Sequence, residues 1–216
     1  MSTERKRRSP GRPRDVAKLE AILDAAYALF LEHGIATTTM DSVAERASVS
    51  KMTVYANFRD KPALLAAVFD HRIKAHPVLH LSVEADLNLS LERLFAFGKE
   101  IVSVNTRPGF VRLLRLVTEG AAEHPRLAAT FYAAGRGDTI KRVTAFLKSL
   151  SKRKLLSIKD PELAAEQLIA SWLGMSELRQ SLRVAGPPSA DAIAKRVHYA
   201  VDTMVRAWST TRDNSR

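Results

Sequence analysis

Lys51, Thr53, Tyr55 and Asn57 fall within seven consecutive residues and offer an ammonium, two hydroxyls and an amide, interleaved with the apolar Met52, Val54 and Ala56. Such groups reach phosphate oxygens or base edges, and an asparagine amide pairs with adenine, so the chemistry on offer is nucleic-acid recognition. The other reactive residues form no comparable set. His76 and His80 are four apart and could share a metal with His71, but Pro77 disturbs the helix that would align them and no carboxylate completes the set. His33, His124 and His198 are isolated. There is no cysteine, no Gly-rich phosphate loop, no His-Glu-x-x-His and no Gly-x-Ser-x-Gly turn. Catalysis, a metal and a cofactor are therefore not expected.

Charge points the same way. The 216 residues carry 34 Lys and Arg against 23 Asp and Glu, a net +11, which favours a polyanionic partner. In the first fourteen positions six basic residues (Arg5, Lys6, Arg7, Arg8, Arg12, Arg14) face only Glu4, a net +5. Pro10, Gly11 and Pro13 break regular structure there, so residues 1–14 read as a disordered basic arm. Its arginines are free to track phosphates, and Arg12, between Gly11 and Pro13, is suited to a minor groove. A purely solubilising tail is the competing reading. The longest apolar run, Ala63 to Phe69, is seven residues, and no apolar stretch follows the charged start. Neither a membrane span nor a signal peptide is expected, and the location is read as cytoplasmic.

The elements that must position these groups are helices only, since apolar residues from Val16 onward recur at helical spacing without sustained alternation. A first helix is predicted from Asp15 to His33, closed by Gly34. Thr39 caps a short helix from Met40 to Ala47, Ser48-Val49-Ser50 turns the chain, and Ser50 caps a second short helix from Lys51 to Asn57. Asp60 and Pro62 open a longer helix. Two such short helices are held only by packing, which Val43, Ala44, Ala47, Val49, Val54 and Phe58 supply. With Ala44 ten residues before Val54 and a turn between, the arrangement reads as a helix-turn-helix whose second helix enters a major groove. An ordinary helical hairpin with solvated polar residues remains the alternative on pattern alone.

Residues 16–69 resemble the DNA-binding domain of TetR-family transcriptional regulators. The likeness rests on Ile22-Leu23-Asp24-Ala25-Ala26, Phe30, Gly34, Thr38-Thr39, Val43-Ala44-Glu45-Arg46-Ala47, Val49-Ser50-Lys51 and Thr53-Val54-Tyr55-Ala56-Asn57-Phe58-Arg59-Asp60-Lys61. Arg112 to Leu173 is similar, more weakly, to the AefR-type subgroup. The resemblance implies that Thr53 and Tyr55 face DNA, with Tyr55 and Lys61 on backbone phosphates. Thr39 and Arg12 complete the expected DNA-binding set with Lys51 and Asn57. Three positions depart from the family pattern: Ser48 where glycine is common in the turn, Met52 where glycine is common early in the reading helix, and Pro62 where glutamate is common after the lysine. Ser48 must then bear a left-handed backbone with a Cβ, and Met52 alters the base contacts.

The chain is expected to be all-α, with a helix-turn-helix domain at 15–62 and a larger helical effector-binding and dimerisation domain at 63–216. Long helices are predicted from Ser90 to Asn105, Pro108 to Glu123, Pro125 to Leu150 with a bend at Gly135–Asp138, Pro161 to Val184 and Ser189 to Trp208. Leu168, Trp172, Met175 and Leu182 on one of the last two, with Ile193, Val197, Val201, Met204 and Trp208 on the other, recur at spacings of three, four or seven. Periodicity shows burial, not against what, but the resemblance implies a homodimer interface with Leu168, Trp172, Met175, Val201, Met204 and Trp208 on it. Phe95, Phe110, Leu114, Val117 and Phe131 are the expected walls of an effector pocket, with plain core as the competing reading. The function so implied is a dimeric regulator, a repressor released from a palindromic operator by a small apolar or aromatic effector. An architectural DNA-binding protein without an effector is the alternative.

Overall fold

A computed structural model of the chain describes residues 13–74 and 81–209. The basic arm as far as Arg12, and His76 and His80, lie outside the described residues. Pro13 and Arg14, expected to end the arm, instead begin the first helix, where a proline at the first position loses no hydrogen bond. All regular structure among the described residues is helical, in two compact units that divide after His71.

The first unit contains α1 (Pro13–His33), α2 (Met40–Arg46), α3 (Lys51–Asn57) and the start of α4 (Lys61–Lys74). Its core is the expected one: Ile22, Ala26 and Phe30 of α1, Val43 and Ala44 of α2, and Val54 of α3 are all buried. Both short helices begin as their sequences dictate. Thr39 accepts from the Ser42 amide at 3.0 Å while the Ser42 hydroxyl accepts from the Thr39 amide at 3.1 Å, a reciprocal cap. Ser50 accepts from the Thr53 amide at 3.1 Å. Between them Ser48 adopts φ +52, the left-handed backbone anticipated from the missing glycine. The Val49 amide then donates to the Ala44 carbonyl at 3.0 Å and the Ser48 amide to the Glu45 carbonyl at 3.1 Å, which closes α2.

The second unit contains α5 (Leu87–Asn105), α6 (Pro108–Glu119), α7 (Pro125–Tyr132), α8 (Asp138–Lys152), α9 (Pro161–Leu173), α10 (Ser176–Ser181) and α11 (Ala190–Trp208). The bend expected at Gly135–Asp138 is a five-residue π-helical segment, Ala133–Gly137, that joins α7 to α8 without interrupting the helical path. The single helix expected from Pro161 to Val184 is divided. Gly174 takes φ +51, and Arg196 of α11 donates through Nη1 to the Leu173 carbonyl at 3.0 Å and to the Ser176 hydroxyl, capping the end of α9. α6 likewise stops at Gly120, four residues short of the expected end.

The core of this unit joins α5, α8, α9 and α11 around Phe97, Leu147, Leu168, Trp172 and Val197. Its tightest approach is at Gly98: a β-carbon there would lie 2.7 Å from Val197 Cγ1 and 2.9 Å from Trp172 Cε2. Ala164 and Ala165 of α9 are buried in the same core, while Gly174 is exposed at the helix break.

Candidate functional site: nucleic-acid interface and effector unit

In the first unit α3 projects its polar face outward because Val54 and Phe58 are drawn into the core. Met52, 82% exposed, and Tyr55, 52% exposed, are the two large hydrophobic side chains left on its surface. Lys51 donates to Asp41 Oδ2 of α2 at 2.5 Å, and that hydrogen bond, reinforced by the carboxylate's charge, raises the lysine's pKa. The pair is solvent-facing, so the ammonium is held pointing outward yet can exchange Asp41 for another oxyanion. Thr53 is half-buried, with its hydroxyl 2.8 Å from the Ser50 hydroxyl. The geometry thus places Lys51, Met52 and Tyr55 at the surface and turns Thr53 partly to capping.

Two of the expected DNA contacts make hydrogen bonds within the unit. Asn57 Nδ2 donates one N–H to the Thr53 carbonyl at 2.8 Å, and on this exposed side chain the second N–H and the amide oxygen remain available. Lys61 was expected on a phosphate. Its Nζ instead donates to the carbonyls of Ile35, Ala36 and Thr38 at 2.8, 2.9 and 3.0 Å, three acceptors for three ammonium protons. The lysine fastens the α1–α2 connection to the start of α4. Thr39 stays exposed at the N-terminus of α2, where its side chain is the cap. Sequence reasoning did not single out Arg46, whose guanidinium grips Glu32 of α1 through two bonds of 2.5 and 2.7 Å and whose pKa that grip raises. This fork holds α2, and with it the turn, on α1.

In the second unit the expected pocket residues separate into two groups. Phe110 of α6 and Phe131 of α7 stack with centroids 5.9 Å apart and planes tilted by 32°. Val117 is buried on α6 and Leu114 half-buried beside it. Phe95 is not part of this cluster. Its ring meets His198 of α11 edge-on at 5.6 Å and carries Lys99 Nζ 5.0 Å above its centroid, so it borders a groove between α5 and α11 instead.

The expected interface residues also divide. Leu168 and Trp172 are wholly enclosed in the protomer core and have no surface to offer a partner. Val201 is buried as well, Met204 and Trp208 are half-buried against the same core, and only Met175 is exposed, at the break after α9. Among the outward residues of these helices are Leu163, Gln167 and Ala170 of α9 and Tyr199 and Thr203 of α11. Among the described residues no group of His, Asp and Glu could hold a metal ion, and no helix is long and apolar enough to cross a membrane.

A short helix pair with a capped, outward-facing second helix, joined in sequence to a larger helical unit, defines a helix-turn-helix transcriptional regulator. Residues 22–68 match the bacterial regulatory proteins of the tetR family, and residues 92–210, more than half of the chain, match the AefR-like transcriptional repressor C-terminal domain. The chain belongs to the TetR family of transcriptional regulators. It is 49% identical over 59 residues to the HTH-type transcriptional regulator YdeS of Bacillus subtilis, a segment that is 27% of this chain and 30% of that one. The match therefore spans less than a third of that relative. Among solved structures, the flavonoid-responsive regulator FrrA is 27% identical with a TM-score of 0.74, over 90% of this chain and 98% of that one. SmeT, the repressor of a multidrug efflux pump of Stenotrophomonas maltophilia, shares the fold at 24% identity and a TM-score of 0.64, over 90% of this chain and 91% of that one.

Proposed function

We propose that the protein is a homodimeric repressor that binds a palindromic operator and leaves it when a small, largely apolar or aromatic effector occupies the second unit. The observation that carries the reading is the outward face of α3, where Tyr55 and Met52 remain exposed beside Lys51 while Val54 is fully buried. A helix held in this way presents side chains to a major groove, and one such helix reads too few base pairs to define a site alone. Two copies of the chain, with reading helices about 34 Å apart, would double the contact. The outward side chains Leu163, Gln167 and Ala170 of α9 with Tyr199 and Thr203 of α11 are the surface assigned to the partner copy.

The effector class is supported by the Phe110–Phe131 pair with Leu114 and Val117, an aromatic and aliphatic cluster on α6 and α7. It is in keeping with the flavonoid response of FrrA. An effector releases DNA only by preferring the conformation that cannot bind it, and moving an equilibrium from 1:99 to 99:1 takes about 5.5 kcal/mol of differential affinity. Two sites per dimer bring this within reach of contacts of ordinary strength.

The test is selection of bound sites from random duplex DNA followed by titration of aromatic effectors. A pseudo-palindrome with half-sites one helical turn apart, lost on effector addition, is the expected result. Binding without sequence preference would make the protein an architectural one and overturn the reading.

A further inference from the structure

One cavity of the second unit lies away from the phenylalanine pair. It is a groove of about 790 Å³ between α6 and the segment that follows α10, and its walls are unusually cationic. Arg112 and Arg115, three apart on one face of α6, line one side, and Arg183 lines the other. The only carboxylate in the groove is Glu119, which lies 3.9 Å from Arg115. Arg112 and Arg183 have no acidic partner among the described residues. Like charges at this spacing on a helix repel one another, and a third arginine facing them adds to the repulsion, so the groove carries a surplus of positive charge.

Two features of the backbone concentrate it further. α6 begins at the groove's Pro108 end with no side chain capping its first amides, and the positive end of a twelve-residue helix is exposed there. Arg183 stands at φ +57, in the left-handed position that closes α10, where the Val184 amide donates to the Arg179 carbonyl at 2.9 Å. Glycine fills such a position without a steric penalty, and here a residue with a long cationic side chain fills it on the groove wall. Apart from Gln180 the remaining side chains of the lining are apolar, among them Val111 and Leu116 on α6 with Val184 and Pro187 opposite.

We infer that this groove is a binding site for a small amphipathic anion, a carboxylate or phosphate on an apolar body, with its charge between Arg112, Arg115 and Arg183 and its body along Val111, Leu116 and Val184. Guanidinium groups bind both headgroups through paired N–H donors, and the volume lies within the range of small-molecule sites. The site is distinct from the apolar effector surface at Phe110 and Phe131 and does not depend on it. Its ligand carries the charge that the aromatic cluster has no group to receive.

Calorimetric titration of the full-length protein with 1-naphthyl phosphate, 1-naphthoate and neutral 1-naphthalenemethanol tests this at physiological salt. At least one anion is expected to bind tenfold or more tightly than the alcohol, and the tighter anion identifies the headgroup. The double variant R112Q/R183Q, altered at two exposed positions, is expected to lose at least tenfold for that anion while its affinity for the alcohol stays within twofold. K148Q/K152Q, which removes the same net charge from exposed positions of α8, is expected to bind like the parent. Equal binding of the alcohol, an unaltered affinity in R112Q/R183Q, or an equal loss in K148Q/K152Q would each overturn the site. Operator binding is not the readout, so this result and that of the DNA-release reading are separable.

Discussion

Lys61 Nζ lies 2.8 Å from the carbonyl oxygen of Ile35, across twenty-six positions of sequence, and the same ammonium reaches Ala36 and Thr38. A charged donor satisfying three carbonyls stabilises the loop it gathers, and its removal leaves partly buried acceptors to find water. Lys61→Ala is expected to destabilise the first unit by about 1–2 kcal/mol in denaturant melts. The slope of log affinity against log salt is expected to stay at the parental value, because a lysine already engaged with carbonyls releases no DNA counterion. A lysine on a phosphate would lower that slope by about one. Lys61→Arg is expected to rescue only part of the loss, since a planar fork cannot direct three protons at three converging oxygens.

Ser48 gives a prediction of opposite sign. Its φ of +52 places a β-carbon in the left-handed region at a cost of roughly 1–2 kcal/mol, against which glycine loses part of the gain through the freedom of its unfolded chain. Ser48→Gly is therefore expected to raise stability by about 0.5–1 kcal/mol with DNA affinity unchanged. A lower melting temperature would mean that the turn is not strained.

The features that were legible in the sequence are those whose causes are local. Thr39 and Ser50 cap helices because their hydroxyls reach amides three residues on, and Ser48 declares its strain by standing where a glycine belongs. The all-helical class and the buried stripe of the first unit follow from periodicity in the same way. What is not legible depends on partners far along the chain. Lys61 bonds carbonyls 23 to 26 residues earlier, and α9 ends at Gly174 because Arg196 arrives to cap it. The enclosure of Trp172 within its own unit and the place of Phe95 beside α11 are not legible in the sequence, because a helical stripe reports that a residue is covered without naming the cover. The cationic groove is not legible in the sequence because Arg112 and Arg183 are 71 positions apart.

Met52 and Tyr55 should separate specificity from general affinity. A thioether chain can lie against thymine methyls, whereas a phenol on a phosphate positions the protein without reading sequence. Tyr55→Ala is expected to weaken specific and random DNA by similar factors. Met52→Ala is expected to lower the specific-to-random ratio, by about 1 kcal/mol per half-site or roughly fivefold. Both side chains are exposed, so melting should not move. If Met52→Ala leaves the ratio intact, Met52 does not touch bases.

Leu114 is half-buried on the α6 surface that also bears Phe110. Enlarging it to tryptophan is expected to fill space that an aromatic effector would occupy and to give a protein that binds operator normally but is no longer released. Gel-shift titration with effector checks this. Release at the parental effector concentration would place the effector elsewhere than on the Phe110–Phe131 face.

Trp172 and Tyr199 distinguish core from interface on neighbouring helices. Trp172 is fully enclosed against Gly98 and Phe97, so Trp172→Arg places an unpaired charge in the centre of the second unit. Breaking a core in this way costs several kcal/mol, out of a total of about 5–15 kcal/mol for a typical domain. The expected result is loss of the folded protein, seen as lost helicity or aggregation, rather than a well-folded monomer. Tyr199 is 74% exposed on α11, so Tyr199→Arg leaves the protomer core untouched. If α9 and α11 meet a second copy there, this variant is expected to keep its helical circular dichroism and sediment as a monomer, because two arginines would face each other across a twofold axis. A parental dimer in Tyr199→Arg would remove that face from the interface, and a folded, stable monomer in Trp172→Arg would contradict the burial of the indole.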